Sequence, residues 1–180
     1  ESCVNTYLHP LWVKEKCQNW VFLRETCFET VFANDILPFA KAAWVPFFEG
    51  RGKKNETFHL ESIVDLVKAA KHGKFYFPEV DVVTGGFPCQ DFSVAGKRKG
   101  FESDKSHKGS KHADFDKGLE NRGLLYKWMR EVIKITKPKL FIAENVKGLA
   151  SLGNTKTIIE DDFRSIDDEG YLVLPARVLY

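Results

Sequence analysis

From about residue 28 onward, short runs of β-branched and aromatic residues alternate with stretches whose apolar positions recur at helical spacing, which predicts βαβ units around a parallel sheet. Glu29 to Asn34 (ETVFAN) reads as a strand, followed by Asp35 and by Pro38, a residue suited to an early helical position. The short helix that begins there is expected to stop at Pro46. Residues 60–71 (LESIVDLVKAAK) place Leu60, Ile63, Val64 and Val67 at helical spacing, with Gly73 as the C-terminal stop. Val80 to Thr84 is a nearly continuous apolar run that ends in Gly85-Gly86, the pattern of a central strand covered on both faces.

Between Asp91 and Asn121 the periodicity vanishes and Lys, Gly, Ser and Asp dominate, which predicts a long exposed loop of the functional or mobile kind. Leu124 to Thr136 then sets Leu125, Trp128, Met129, Val132, Ile133 and Thr136 on one helical stripe that Lys137-Pro138 ends. Leu140 to Ala143 reads as another buried strand, with Glu144-Asn145 at its carboxyl end. A helix over 155–168, a break at Gly170 and a strand over 171–179 complete the pattern, whereas residues 1–27 show no readable period. No internal repeat or low-complexity tract interrupts it.

Composition narrows the class. In 180 residues, 43% hydrophobic with 15 Phe, 4 Trp and 5 Tyr, there is apolar area enough to offset the entropy of ordering one domain, so a disordered chain is excluded. No 18-residue apolar run is present to span a bilayer. With 27 basic and 25 acidic side chains the net charge is +2, so any binding of a polyanion has to rest on a local patch. The four cysteines (Cys3, Cys17, Cys27 and Cys89) form no C-x-x-C pair, and no His/Cys spacing supports a metal site, which fits a reducing cytoplasm. No signal-peptide layout opens the chain, and its first residue is Glu1, which points to a piece of something longer.

In an open parallel sheet, ligands bind beyond the carboxyl ends of the strands. Three such ends carry reactive groups: Asp35, Pro88-Cys89-Gln90 and Glu144-Asn145. A cysteine on a stiff turn after Gly85-Gly86-Phe87-Pro88 is a candidate nucleophile, because backbone amides there lower a thiol's pKa. Glu144, on a neighbouring strand end in a partly dry cleft, is a candidate carboxyl for sharing a proton with a substrate nitrogen. Taken singly, each feature has an ordinary explanation: an inert thiol, a helix cap at Glu144-Asn145 or Asp35, a solvated Lys97-Arg98-Lys99 surface. A cysteine hydrolase is disfavoured, since none of the five histidines is placed as a base for Cys89.

The order and identity of the motifs decide between these. Gly-Gly-Phe-Pro-Cys-Gln-Asp-Phe-Ser (85–93), Gly-Lys-Arg-Lys-Gly-Phe (96–101), Asn-Arg-Gly-Leu-Leu (121–125) and Pro-Lys-Leu-Phe-Ile-Ala-Glu-Asn-Val (138–146) together resemble the catalytic core of the DNA (cytosine-5) methyltransferases. The resemblance covers roughly residues 28–180. It implies an α/β fold, a Rossmann-like S-adenosylmethionine-dependent methyltransferase sheet with flanking helices, here incomplete at both ends. It implies Cys89 as the nucleophile on cytosine C6 and Glu144 as the carboxyl at N3, with Asn145 ordering the turn beside it. The target base leaves the duplex, and the stretch over about 91–121 is then a mobile catalytic loop. Gln90, Ser93, Lys97 and Arg98 would face DNA, and Arg122 would meet a phosphate or brace the cleft.

For S-adenosyl-L-methionine the resemblance implies Asp35 at the ribose hydroxyls, Ile36 on adenine, Glu61 near the adenine amine, and Pro88 and Leu125 at the methionine end. Double-stranded DNA is the implied partner, with a cognate restriction endonuclease in the same bacterial system, no membrane, and a monomer in the nucleoid-associated cytoplasm. Two departures qualify this. Where the family carries Phe-x-Gly-x-Gly-Gly, residues 13–20 read Val-Lys-Glu-Lys-Cys-Gln-Asn-Trp without a glycine, so residues 1–27 form an atypical N-terminal segment. The Gln-x-Arg-x-Arg element, the target-recognition region and the closing helix are absent, and Ser103 to Glu120 is longer than in the shortest family members. A catalytically silent fragment that retains the fold is therefore the alternative, with weak or no binding of the methyl donor expected.

Overall fold

The computed structural model describes residues 11, 13–17, 20–24, 27–49, 57–87, 125–146, 149, 154–167 and 170–176. The chain divides into two compact units, Glu1–Thr30 and Val31–Tyr180. In the first, β1 (Val13–Cys17) pairs antiparallel with β2 (Trp20–Leu23), with an irregularity between Val13 and Glu15. Within the stretch whose sequence shows no period, Val13–Cys17 and Trp20–Leu23 thus form an antiparallel pair: in β1 the polar run Lys14, Glu15 and Lys16 hides the alternation by which strands are read.

In the second unit, β3 (Ala33–Asn34) leads to α1 (Pro38–Glu49), and β4 (Phe58–His59) leads to α2 (Ile63–Lys71). β5 (Val82–Gly86), α3 (Leu125–Thr136), β6 (Leu140–Glu144) and α4 (Thr155–Arg164) follow. β3 runs parallel to β4, and β5 runs parallel to β6, each pair forming a two-stranded sheet. The parallel α/β expectation is met at this coarser level; one continuous Rossmann-like sheet is not what the described strands form.

Helix ends follow local chemistry. Ser62 caps α2, its Oγ accepting from Val64 N at 3.3 Å, so the helix starts later than residue 60. Gly73 stops it at φ 68°, a left-handed conformation that a side chain disfavours. α1 runs through Pro46 to Glu49 instead of stopping there. Proline removes one internal N–H, and in a helix with Trp44 and Phe48 stacked at 4.4 Å and Trp44 against Phe58, packing holds the next turn.

α3 is the pivot of the core. Tyr126, Met129 and Ile133 pack with Leu149, Ile159, Phe163 and Ile166, and against Val83, Phe87 and Phe141 of the β5–β6 side. Trp128 and Val132 pack with Val64 and Val67 of α2, with Leu125 and Phe77 alongside. One helix therefore joins α2, α4 and one face of the β5–β6 pair. On the opposite face Leu140 and Ile142 are each 53% exposed, so among the described residues nothing covers both faces of the pair as the apolar runs predict. Of the stretch 29–34 only Ala33–Asn34 makes a ladder, α4 ends at Arg164, and residues 171–176 form no strand. Among the described residues no helix is long and apolar enough to cross a membrane.

Candidate active site

The parallel register of β5 and β6 runs Val82↔Leu140, Val83↔Phe141, Thr84↔Ile142, Gly85↔Ala143 and Gly86↔Glu144. The two strands begin together, since Leu140 N donates to Asp81 O at 3.1 Å and Lys139 Nζ pairs with Asp81 at 2.7 Å. That bond and the Asp81 charge hold the Lys139 ammonium above the usual lysine range. They also end in step, which sets Glu144 directly beside Gly86.

Both glycines of this end have close neighbours. A Cβ on Gly85 would lie 2.9 Å from Met129 Sδ, where α3 crosses the strand, and one on Gly86 would lie 3.2 Å from Glu144 Oε2. Neither has a left-handed φ; at Gly85 the requirement is space. Asn145 then crosses between the strands. Its Nδ2 donates to the Phe87 carbonyl at 3.0 Å, and its Oδ1 accepts from Val146 N at 2.8 Å. Phe87 is in turn held by its ring, which packs against the core with Tyr126 at 6.0 Å between centroids. Glu144 is exposed, on the same face of β6 as Leu140 and Ile142.

A second group gathers at the ends of β3 and β4. Asp35 N continues the ladder to His59 O, and Asp35 Oδ1 accepts from Leu37 N at 2.9 Å. Asn34 Nδ2 donates to both His59 O at 3.0 Å and Glu61 O at 2.8 Å, clamping the turn after β4. The sequence context of Asn34 does not announce this clamp, because both partners lie 25 or more positions away. Asp35 is half-buried, and Ile36, Leu37, Leu60 and Glu61 are exposed around it. A half-buried carboxylate with exposed Ile36 and Leu60 beside it suits the hydroxyls and flat base of an adenosine, so these residues fit the nucleoside end of S-adenosyl-L-methionine. Leu125 has its side chain against the Val64, Val67, Trp128 and Val132 cluster.

Of the other expected site residues, Pro88, Cys89, Gln90, Ser93, Lys97, Arg98 and Arg122 lie outside the described residues, as does the loop over 91–121. Among the described residues no group of His, Cys, Asp and Glu could hold a metal ion.

Behind the β5–β6 end sits a buried polar lock. Tyr126, 1% exposed, donates its hydroxyl to Asp162 Oδ2 at 2.5 Å. Burial first, then the Asp162 bond and charge, push this phenol well above the ordinary tyrosine range, with Arg130 opposing. Arg130 donates to Asp162 O and Ser165 O, so α3 and the carboxyl end of α4 are tied by the same cluster.

A family model described as C-5 cytosine-specific DNA methylase matches residues 20–178. The type II methyltransferase M.PspPI of Psychrobacter sp. (strain TA137) is 43% identical over 102 residues, 56% of this chain and 20% of that protein. The type II methyltransferase M.HhaI of Haemophilus parahaemolyticus is 34% identical over 92 residues, 50% of this chain and 23% of that protein. The DNA-cytosine methyltransferase of Escherichia coli (strain K12) is 36% identical over 121 residues, 66% of this chain and 23% of that protein. The matched segment thus spans 20% to 23% of the length of these relatives.

Proposed function

This chain belongs to the C-5 cytosine-specific DNA methylase family, and from that premise we propose that it carries the catalytic elements of a DNA (cytosine-5) methyltransferase. The observation that supports the reading most is the β5–β6 register, which brings Glu144 beside Gly86, three positions before Cys89 in the chain. A carboxyl and a thiol that the sequence separates widely are thereby served by adjacent strand ends.

The chemistry follows from cytosine itself. C5 is a poor nucleophile until a thiolate adds to C6; the new S–C6 bond draws on the C5–C6 double bond and leaves an enamine that is nucleophilic at C5. Cys89 supplies the thiolate. Glu144 shares a proton with N3 and accepts from the exocyclic amine, stabilising the charge that the addition places on the ring. S-adenosyl-L-methionine, when bound, supplies the methyl group as an electrophilic sulfonium substituent. Asp35 holds the ribose hydroxyls and Ile36 the adenine, with Glu61 near the adenine amine and Pro88 and Leu125 towards the methionine end. Loss of the C5 proton and cleavage of S–C6 then restore the thiolate and the aromatic ring.

The substrate is a cytosine swung out of double-stranded DNA, since neither C6 nor N3 is reachable within the stack. Gln90, Ser93, Lys97 and Arg98 line the DNA side, and Arg122 meets a phosphate or braces the cleft. Relatives named type II methyltransferases favour a restriction-modification setting with a cognate endonuclease in the same system and no direct contact to it. A monomer acting in the bacterial cytoplasm, at the nucleoid, is the matching state.

A second reading, a catalytically silent piece that retains the fold, is favoured by the absence of glycine from Val13 to Trp20. Covalent trapping separates the two. A duplex in which every cytosine is 5-fluorocytosine is incubated with the chain and S-adenosyl-L-methionine, and adducts are read on a denaturing gel. Fluorine at C5 blocks the final elimination, so an adduct that forms in the wild type and disappears in Cys89→Ser supports the enzyme. An adduct that survives Cys89→Ser overturns the nucleophile assignment, and a folded wild-type chain that traps nothing supports the silent reading.

A further inference from the structure

We infer that Asn34 is a positioning residue for the nucleoside end of the methyl donor, setting where Glu61 stands relative to Asp35. The inference rests on the proposed roles of those two carboxylates and deepens them. The ladder between β3 and β4 consists of Ala33↔Phe58 and Asn34↔His59 alone, and the bond that continues it, from Asp35 N to His59 O, is long at 3.3 Å. Backbone pairing therefore ends at His59, before the chain reaches Glu61.

The Asn34 side chain takes over from there. A carboxamide carries both of its N–H donors on one nitrogen. Nδ2 of Asn34 directs them to His59 O at 3.0 Å and to Glu61 O at 2.8 Å. In an extended chain, residues two apart face the same side, so a single amide group holds the stretch His59, Leu60 and Glu61 against the end of β3. Immediately downstream the chain is anchored again, because buried Ser62 caps α2 through the bond from Val64 N to its Oγ. Glu61 thus stands between two fixed points. Its side chain is exposed, so no packing aims the carboxylate, and the backbone from which it hangs defines its reach. On the other strand Asp35 directly follows Asn34 and has its own restraint, the bond from Leu37 N to Oδ1 at 2.9 Å. Removing the Asn34 amide therefore frees Glu61 and leaves the Asp35 carboxylate held.

The test is the binding of three ligands, read by ligand-observed NMR titration at millimolar concentration: S-adenosyl-L-homocysteine, its hypoxanthine analogue, which lacks the exocyclic amine, and its deoxyribose analogue, which lacks a ribose hydroxyl. Wild type is compared with Asn34→Ala and with Asn34→Asp, which retains the size and loses both donors, and folding is checked by circular dichroism. Positioning predicts that the wild type prefers adenine to hypoxanthine by about 3- to 10-fold, the factor that one ordinary hydrogen bond commands. Both variants should bring that ratio to within about 2-fold of one, while the preference for ribose over deoxyribose stays where it is. A residue that only supports the fold weakens all three ligands by a common factor. Unmoved ratios in the variants of a wild type that does prefer adenine overturn the inference and leave the site standing. Loss of both preferences together means that Asn34 holds the whole strand end and not Glu61 in particular, which also overturns it. If the wild type binds none of the three, or shows no preference for adenine, the proposed role of Glu61 fails and the inference falls with it.

Discussion

Tyr126→Phe removes one oxygen from a fully buried ring and leaves the rest of the side chain to pack as before. The bond lost runs from the Tyr126 hydroxyl to Asp162 Oδ2 at 2.5 Å. A hydrogen bond to a charged acceptor contributes about 1.5–3 kcal/mol, and because Asp162 is half-buried, water recovers part of the carboxylate's solvation after the substitution. The expected cost is therefore near the lower part of that range, about 2 kcal/mol. For a chain of this size that lowers Tm by about 4–8 °C. The assay is thermal and urea unfolding followed by far-ultraviolet circular dichroism, completed as a cycle with Asp162→Ala. Arg130 bonds the backbone oxygen of Asp162, so the second substitution spares that tie. A coupling of about 1–2 kcal/mol is expected, and additivity within about 0.5 kcal/mol refutes the lock. The pH dependence supplies an independent check. The folded state raises the Tyr126 pKa, so its contribution is complete below about pH 10, the ordinary tyrosine value, and is lost progressively as pH climbs above it. Tyr126→Phe should flatten that alkaline decline and leave the smaller share from Tyr171, whose pKa burial and Asp167 also raise.

Gly86→Ala should leave the melting temperature nearly unchanged while slowing trapping on 5-fluorocytosine DNA, since the new Cβ meets only the movable carboxylate of Glu144 at 3.2 Å; a variant that traps at the wild-type rate would show that the carboxylate does not need that position. Asp81→Asn, which removes an ion pair whose side chains are 84% and 74% exposed, should leave the urea midpoint unchanged within error, and a clear drop would mean that the strand starts depend on it.

How far such features can be read from the chain depends on their range. α3 is legible residue by residue because a helix repeats its apolar stripe locally, and Trp128, Met129, Val132 and Ile133 are all buried. Tyr126 lies just off the expected stripe and is buried nonetheless, its hydroxyl satisfied by an acid 36 positions away. Leu140 and Ile142 spell a fully buried strand, yet half their surface is open: an apolar run records what a strand can contact, and burial depends on which element lies over it. Asn34 and Asn145 are illegible for a related reason, because each is defined by backbone carbonyls remote in sequence. The family motifs point to Asp35 and Glu144 correctly as strand-end groups, while the hairpin of β1 and β2 has no motif to announce it.

Pairing β5 with β6 has a consequence for how such a chain can change. The distance from Phe87 to Glu144 is fixed by a ladder of five residue pairs, while the covalent path between them runs through residues 88–124 and α3. One residue inserted within either strand turns every following side chain to the opposite face. The alignment of the two carboxyl ends is thus protected by the ladder itself, and a length change is excluded within β5 and β6 whatever joins them.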